Sequence, residues 1–176
     1  GLFISVEGAD RVGKDTVLDS CNKFLDIFDI FFTREPGGNG SELAEAIRDL
    51  VKDKKYLKMK GCTEAFLYAA SRYQHIHECI IPELKKGRPV ITNRYVESSY
   101  CYQSLRDDMC LDKVLDINSI AMELNKEDAD WYGKSHMVPD YTIIFTLPEH
   151  ERLKRFHKHE GPTDRLEMAG DDFFKT

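Results

Sequence analysis

Short apolar runs alternate with longer stretches of mixed polarity along the 176-residue chain. The apolar runs end at glycine, proline or polar residues, which is typical of buried strands. The mixed stretches place apolar residues on one face at helical spacing and therefore predict helices. The predicted strands are residues 2–6, 30–33, 90–92 and 141–146. Helices are predicted over residues 14–28 and 63–86, within 98–123, and from Ser41 and Pro148 onwards. In the helix over 63–86, Thr63 is the expected N-cap and a bend is expected near Pro82.

Continuous apolar strands separated by helices indicate a parallel sheet that is covered on both faces. The chain has no internal repeat or low-complexity linker, and its length suits one domain. We therefore expect a single α/β domain over residues 1–176, with a five-stranded parallel sheet flanked by helices. Residues 171–176 resemble the beginning of another helix, so we expect a C-terminal strand and helix to be missing from this chain. In the helix that begins at Ser41, the residues expected on the buried face are Leu43, Ala46, Ile47 and Leu50.

A glycine-rich segment lies between the first predicted strand and the first predicted helix. It matches the pattern GxxxxGK of a phosphate-binding loop. Its glycines allow backbone N–H groups to point at phosphate oxygens, the helix dipole adds positive charge, and the lysine reaches the outer phosphates. The sequence therefore predicts a three-layer P-loop NTPase fold that binds a nucleotide such as ATP. The segment is Gly8-Ala9-Asp10-Arg11-Val12-Gly13-Lys14-Asp15-Thr16.

Asp15 departs from the usual form of this loop, which has a Mg²⁺-binding Ser or Thr after the lysine. A carboxylate also binds Mg²⁺, so Asp15 is a candidate metal ligand. Negative charge is equally favourable at a helix N-terminus, so Asp15 can instead cap the helix. Both interpretations remain open from the sequence.

The composition limits the partners of this loop. The formal net charge is -6 and the sequence pI is near 5.5, whereas proteins that bind polymeric nucleic acid need a basic stripe. No apolar run approaches the length of a membrane span. We therefore expect neither nucleic acid nor a membrane as a partner. The five cysteines are scattered without a close pair, which predicts free thiols in a reducing compartment, the cytoplasm or the nucleus.

Two other patterns suggest function more weakly. Residues 125–128 read NKED and match the NKxD element of guanine recognition, but no DxxG precedes them and no strand leads into them. We interpret this match as coincidence. His75 and His77, like His157 and His159, are two residues apart, which points them to different faces of a helix. We expect these histidines to be solvated rather than metal-bound.

Three further segments carry candidate binding residues. Arg34 follows the second strand in TREPGG, at the sheet edge where α/β proteins bind ligands. Tyr68 and Arg72 share a helix face, where a ring and a guanidinium suit the face and edge of a nucleobase. Arg94 closes the third strand in ITNRYVESSYCYQ.

In their order and spacing, these segments resemble the thymidylate kinase family of P-loop nucleoside monophosphate kinases. The resemblance extends from residue 2 to residue 174. It implies an intracellular Mg²⁺- and ATP-dependent transferase of dTTP synthesis, usually a homodimer that pairs through flat helix faces. The matching segments are VEGADRVGK, TREPGG, FLYAASRYQ, ITNRYVESSYCYQ, PDYTIIFTLPEHERLKR and DRLEMAGDDFF.

The resemblance implies a role for each matching position. The loop backbone and Lys14 would hold the phosphates of ATP, and Arg155 would pack against adenine. Arg34 and Arg94 would clamp the dTMP phosphate, which suits the forked donors of arginine. At the sugar of dTMP, Asp10 would accept from the 3′-OH and Tyr102 would crowd the 2′ position. At the base, Tyr68 would stack on thymine and Arg72 would donate a hydrogen bond to its O4. Ser99 and Gln103 would lie along the edge of the base.

The family also places a positive charge at the transferred phosphoryl group, either in the loop or in the lid. The lid, expected at residues 156–164, contains no arginine, whereas Arg11 lies within the loop. The resemblance therefore implies that Arg11 serves catalysis together with Lys14 and Arg94.

The chain departs from the family pattern at residue 93. Asn93 stands where the family has the aspartate of an Asp-Arg-Tyr sequence, whose carboxylate belongs to the magnesium and acceptor network. We hypothesise that Asp15 replaces the missing charge. The alternatives are a weakened or inactive nucleotide-binding relative, or a kinase for another deoxynucleoside monophosphate such as dUMP or dGMP. Residues 124–137 are longer than the family pattern and predict a surface excursion, with a specificity or interface loop as the alternative.

Overall fold

A parallel sheet forms the centre of the computed structural model, which describes residues 1–24, 26–157 and 165. Within these residues the sheet has four strands, in the order β2-β3-β1-β4, where the sequence predicted five. The register sets Phe3 beside Val90 and Val6 beside Asn93, so the ends of β1 and β3 meet at one edge. The strands are β1 (Phe3–Glu7), β2 (Phe31–Arg34), β3 (Val90–Asn93) and β4 (Tyr141–Ile144).

Helices connect the strands, as parallel pairing requires. The predicted α/β architecture is confirmed, and the described residues contain no helix long and apolar enough to cross a membrane. Short 3₁₀ turns follow the first and second helices at Asp26–Phe28 and Lys54–Tyr56. The α-helices are α1 (Lys14–Phe24), α2 (Glu42–Lys52), α3 (Gly61–His75), α4 (Ile81–Lys85), α5 (Val96–Tyr102), α6 (Leu111–Met122), α7 (Lys126–Tyr132) and α8 (Glu149–His157).

The predicted helix over residues 63–86 begins earlier and is not one continuous α-helix. The carboxylate of Asp108, from a distant loop, accepts the backbone N–H groups of Gly61 and Cys62 at 2.8 and 3.2 Å, so Thr63 is not the N-cap. A π-helical turn, Ile76–Ile80, separates α3 from α4. It ends two residues before Pro82, which has no N–H to donate, so the α-helix is interrupted close to the predicted position.

The buried face of α2 also differs from the prediction. Ser41 caps the helix as expected, but Ala44 and Val51 are buried while Leu43 is 54% exposed. Glu45 accepts from the Gly38 N–H, and Arg48 donates to the carbonyl of Pro36. These two polar contacts place Glu45 and Arg48 against the loop after β2, while Leu43 lies on the exposed side.

Residues 124–137 form the expected surface excursion, but it is anchored in the core at both ends. The match to NKxD is a helix N-cap, since Asn125 Oδ1 accepts from the Asp128 N–H at 2.9 Å and begins α7. Both ends of the segment enter the core, where Leu124 and Met137 are buried. The apolar core combines them with residues from the sheet and from the α3–α5 region: Phe3, Ile76, Ile80, Ile81, Leu84, Val90, Tyr95, Val96 and Met122.

Met137 provides a direct test of this assignment. Its side chain is fully buried, so Met137→Ala should lower the free energy of unfolding by about 2–5 kcal/mol. Ile27→Ala is the control, since Ile27 is 84% exposed and its truncation should change stability by less than about 0.5 kcal/mol. Denaturant unfolding of both variants measures the difference. Equal stabilities would show that residues 124–137 do not contribute to the core.

Candidate active site

The phosphate-binding loop is already curled around its own lysine. Lys14 Nζ donates to the carbonyl oxygens of Gly8 and Ala9 at 2.8 and 2.9 Å. Gly8 lies so close to the end of β4 that a Cβ would come within 2.4 Å of the Phe145 carbonyl oxygen. Only glycine fits there, so the sheet itself sets the entry of the loop.

Lys14 is largely removed from solvent. Burial and the nearby Arg94 guanidinium lower the pKa of Lys14 to about 8, although Asp10 and Asp15 act in the opposite direction. A lysine in this state gains from an added anion, because a phosphate group favours the ammonium form.

Arg155 and Arg11 lie together at the loop. Arg155 Nη1 donates to the backbone carbonyl of Arg11 at 3.2 Å, and Arg11 itself has a left-handed backbone with φ of 66°. The structure thus places the residue implied for adenine packing over the loop.

Asp15 and Asn93 lie side by side and are joined by a hydrogen bond. Asn93 Nδ2 donates to Asp15 Oδ1, although the two residues are 78 positions apart in the chain. The other polar atom, Asn93 Oδ1, is buried and has no hydrogen-bond partner among the described residues. Asp15 therefore lies beside the position where the carboxylate is missing, as the compensation hypothesis requires.

A cavity of about 280 Å³ opens beside the loop. It brings together residues predicted separately from three segments of the chain. Tyr68 and Arg72 from α3 lie in the same cavity wall as Ser99 and Gln103. The lining also includes Asp10, Asp15, Arg34, Glu35, Pro36, Arg48, Lys52, Asn93, Arg94, Tyr95, Ser98 and Tyr102.

Arg72 is held rigidly in that wall. A guanidinium has five N–H groups, and described partners accept from four of them. Only one N–H is therefore left for an occupant of the cavity. The partners are Glu35 Oε2 at 2.8 Å, Asn118 Oδ1, Ser99 Oγ at 3.1 Å and the Tyr95 carbonyl at 3.3 Å.

The two arginines expected at the acceptor phosphate are each paired with a carboxylate. Arg34 Nη2 lies 2.9 Å from Glu45 Oε2, and Arg94 Nη2 lies 2.5 Å from Asp10 Oδ1. The Tyr102 ring packs against Arg94, with 5.3 Å between the guanidinium carbon and the ring centroid. Arg94 also has a left-handed backbone, with φ of 71°. An L-residue keeps this conformation only where its surroundings enforce it.

Comparison with known proteins identifies the family of this chain. The family described as thymidylate kinase matches residues 6–176 of the chain. The chain belongs to the thymidylate kinase family.

Curated thymidylate kinases align over almost the whole chain. The thymidylate kinase of Mycoplasma mobile is 41% identical over 98% of this chain and 78% of its own length. That of Lactobacillus delbrueckii subsp. bulgaricus is 40% identical over 96% of this chain and 74% of its own length. Among solved structures, thymidylate kinase from Ehrlichia chaffeensis is 25% identical, with a TM-score of 0.65 over 88% of this chain and 81% of that chain.

Several residues of this thymidylate kinase site were not predicted from the sequence. Glu35 lies within the quoted TREPGG segment, but its ion pair with Arg72 spans 37 residues. Arg48 and Lys52 also line the cavity and were not among the predicted site residues. His75, expected to be solvated, is fully buried, with Nε2 2.8 Å from Thr33 Oγ1 and Nδ1 3.2 Å from Glu35 Oε1. Most of the expected lid, residues 158–164, lies outside the described residues.

The lowered pKa of Lys14 predicts a distinctive titration. In the ligand-free enzyme its amine should lose the proton near pH 8, whereas ordinary lysines do so near pH 10.4. Between these pH values the unfolded chain binds more protons, so the contribution of Lys14 to stability should rise with pH over that window. NMR of ¹³C-methylated lysines measures the pKa.

The Lys14 resonance is identified by its absence from Lys14→Met. Addition of ATP should move the pKa upwards, because phosphate charge favours the ammonium. A Lys14 resonance that titrates with the exposed lysines would contradict the buried environment described here.

Proposed function

We propose that this thymidylate kinase transfers the γ-phosphoryl group of ATP to dTMP, giving ADP and dTDP. One observation carries the proposal: a single cavity is lined both by residues of the phosphate-binding loop, Asp10 and Asp15, and by Tyr68 and Arg72. Donor phosphates and an acceptor base therefore have neighbouring places in one site.

On the donor side, the proposal assigns the ATP phosphates to the loop backbone and Lys14. On binding, the phosphates replace the carbonyl oxygens of Gly8 and Ala9 as hydrogen-bond partners of Lys14 Nζ. Arg11 supplies a positive charge near the transferred group, and Arg155, which contacts the Arg11 carbonyl, covers the adenine side. Phosphoryl transfer depends mainly on positioning and charge neutralisation, which these residues provide.

On the acceptor side, Arg34 and Arg94 favour a nucleoside monophosphate over a nucleoside. Both line the cavity, and a pair of guanidiniums has no role if the acceptor lacks a phosphate. Asp10 holds Arg94 in place and is assigned to the 3′-OH. Tyr68 is assigned to the face of thymine and Arg72 to its O4, while Tyr102 restricts the 2′ position.

The oxygen atoms of Asp15 and Asn93 fit Mg²⁺. The described residues hold no cluster of three or more His, Cys, Asp or Glu side chains that could bind a metal, but Mg²⁺ usually takes one or two protein oxygens and completes its shell with water and phosphate. Asp15 offers a carboxylate, and the unpartnered Oδ1 of Asn93 is a second hard oxygen. When bound, Mg²⁺ neutralises charge on the donor phosphates.

We also propose that the enzyme is a cytoplasmic homodimer. Support for pairing comes from large apolar side chains on the outer faces of adjacent helices: Leu43 on α2, Phe66 and Tyr73 on α3, and Leu111 and Leu115 on α6, each 40–58% exposed. Burial of such faces against a second copy is favourable, and light scattering measures the resulting mass. The free state of all five cysteines supports a reducing compartment.

A coupled assay of ADP formation with ATP and Mg²⁺ tests the function. We expect turnover with dTMP to exceed that with dUMP and dGMP, and no turnover with thymidine, since only a monophosphate engages Arg34 and Arg94. Preference for dGMP or dUMP would favour a kinase with another acceptor. Tight ATP binding without turnover of any acceptor would favour an inactive relative.

Exchange of residues 15 and 93 tests the compensation hypothesis. Asp15→Ser should lower kcat and the affinity for Mg²⁺ on the order of 10- to 100-fold, because it removes the remaining carboxylate. Asn93→Asp in that background should restore both. The affinity of Mn²⁺ in the presence of ADP, measured by electron paramagnetic resonance, reports on the metal site independently of turnover.

Asp19→Ser is the matched control, since Asp19 is an exposed carboxylate one turn further along α1. It should leave activity and metal affinity unchanged. If Asp15→Ser also leaves both unchanged, the compensation hypothesis is wrong.

A further inference from the structure

Glu64 is a fully buried carboxylate on α3, beside the cavity but not part of its lining. Its Oε1 accepts from Gln103 Nε2 at 3.0 Å. Its Oε2 accepts from Arg165 Nη2 at 2.5 Å and lies 3.3 Å from Arg106 Nη2. A buried carboxylate with this many donors is held in one orientation.

Two guanidiniums form ion pairs with Glu64, those of Arg165 and Arg106. Arg165 is itself fixed, because its Nε donates to the carbonyl of Val51 at 2.7 Å. Glu64 thus faces Gln103 as a carboxylate, which accepts hydrogen bonds but does not donate them.

This arrangement determines which end of the Gln103 amide is available to a ligand. The two ends of an amide differ chemically, since one is a donor and the other an acceptor. Glu64 accepts one N–H of the NH₂ end, so that end is held towards Glu64. Gln103 also lines the cavity and can offer an occupant its carbonyl oxygen as an acceptor.

The resulting pattern matches one type of pyrimidine. Arg72 offers a donor and Gln103 an acceptor in the same wall. Thymine presents O4, an acceptor, next to N3–H, a donor. Cytosine presents the reverse, an amino group at C4 and an unprotonated N3, so both of its groups would meet like partners. Polar mismatches of this kind are costly because a buried group is left unpaired.

We propose that Glu64 is a positioning residue for base selection: by fixing the Gln103 amide, it makes the site accept thymine and reject cytosine. The proposal rests on the proposed function, because it concerns the acceptor base of that reaction. Arg165 and Arg106 pair with the other carboxylate oxygen of Glu64, Oε2, and leave Oε1 to Gln103.

The test is a double-mutant cycle of Glu64→Gln and Gln103→Leu. Glutamine at position 64 has an NH₂ group as well as a carbonyl, so it no longer dictates the Gln103 orientation. We expect Glu64→Gln to lower the ratio of kcat/KM for dTMP over dCMP by about 10- to 100-fold. The change should appear in KM for dTMP and in the calorimetric Kd values of the two nucleotides, while KM for ATP is unchanged.

The cycle separates positioning from a general structural effect. In the Gln103→Leu background, Glu64→Gln should have no further effect on the ratio, because Glu64 acts through Gln103. Arg106→Gln is the control: it removes a charged partner of Glu64 but keeps the bond to Gln103. It should lower the thermal midpoint yet change the ratio by less than about twofold.

Three results would overturn the proposal: an unchanged ratio in Glu64→Gln, effects that add in the double variant, or an equal loss of selectivity in Arg106→Gln. If Glu64→Gln does not fold, Glu64→Asp must lower the ratio, since it keeps the charge but draws it back from Gln103 by one carbon–carbon bond. Absence of dTMP turnover in the wild type would instead refute the proposed function, and the Kd values of dTMP and dCMP would still decide the role of Glu64.

Discussion

The buried ion pair between Arg72 and Glu35 is the interaction on which the acceptor half of the site depends. Both side chains are almost fully buried, and Arg72 Nε lies 2.8 Å from Glu35 Oε2. A buried pair is tolerated only when its remaining donors and acceptors are also satisfied. The partners that satisfy Arg72 come from the start of α5 and from α6, at Ser99, Tyr95 and Asn118. The end of β2 and three helices must therefore meet at one guanidinium, and the wall of the cavity is built around that meeting point.

A second carboxylate links this wall to the phosphate-binding loop. Glu7, the last residue of β1, accepts from the Tyr95 N–H at 2.7 Å and from Ser98 Oγ at 2.7 Å. Burial raises the pKa of Glu7, while these hydrogen bonds lower it. Because the loop begins at the next residue, one side chain fixes the start of α5 relative to the loop. The distance between the phosphate-binding loop and the cavity wall at α5 therefore follows from the register of β1 and β3.

The features that were predictable from the sequence are local ones. The phosphate-binding loop, the shared face of Tyr68 and Arg72, and the alternation of strands and helices all follow from spacing within a few residues. The errors arose where distant residues decide the structure. Asp108 begins α3 from 47 positions away, and no helical pattern contains that information. His75 has the spacing of a surface residue but is buried by contacts with the loop after β2.

The approach of the Lys14 ammonium to the carbonyls of its own loop has a consequence for nucleotide affinity. In the proposed complex, donor phosphates replace these carbonyls as partners of Lys14, and the loop is already curled before a nucleotide arrives. Binding then exchanges one set of partners for another, with little reorganisation of the backbone. The strength of binding depends on how far phosphate oxygens outcompete neutral carbonyls for the same ammonium. On the proposed function, we expect a nucleotide with fewer charged oxygens to compete less well for Lys14, so that the loop favours nucleotides with more phosphate charge.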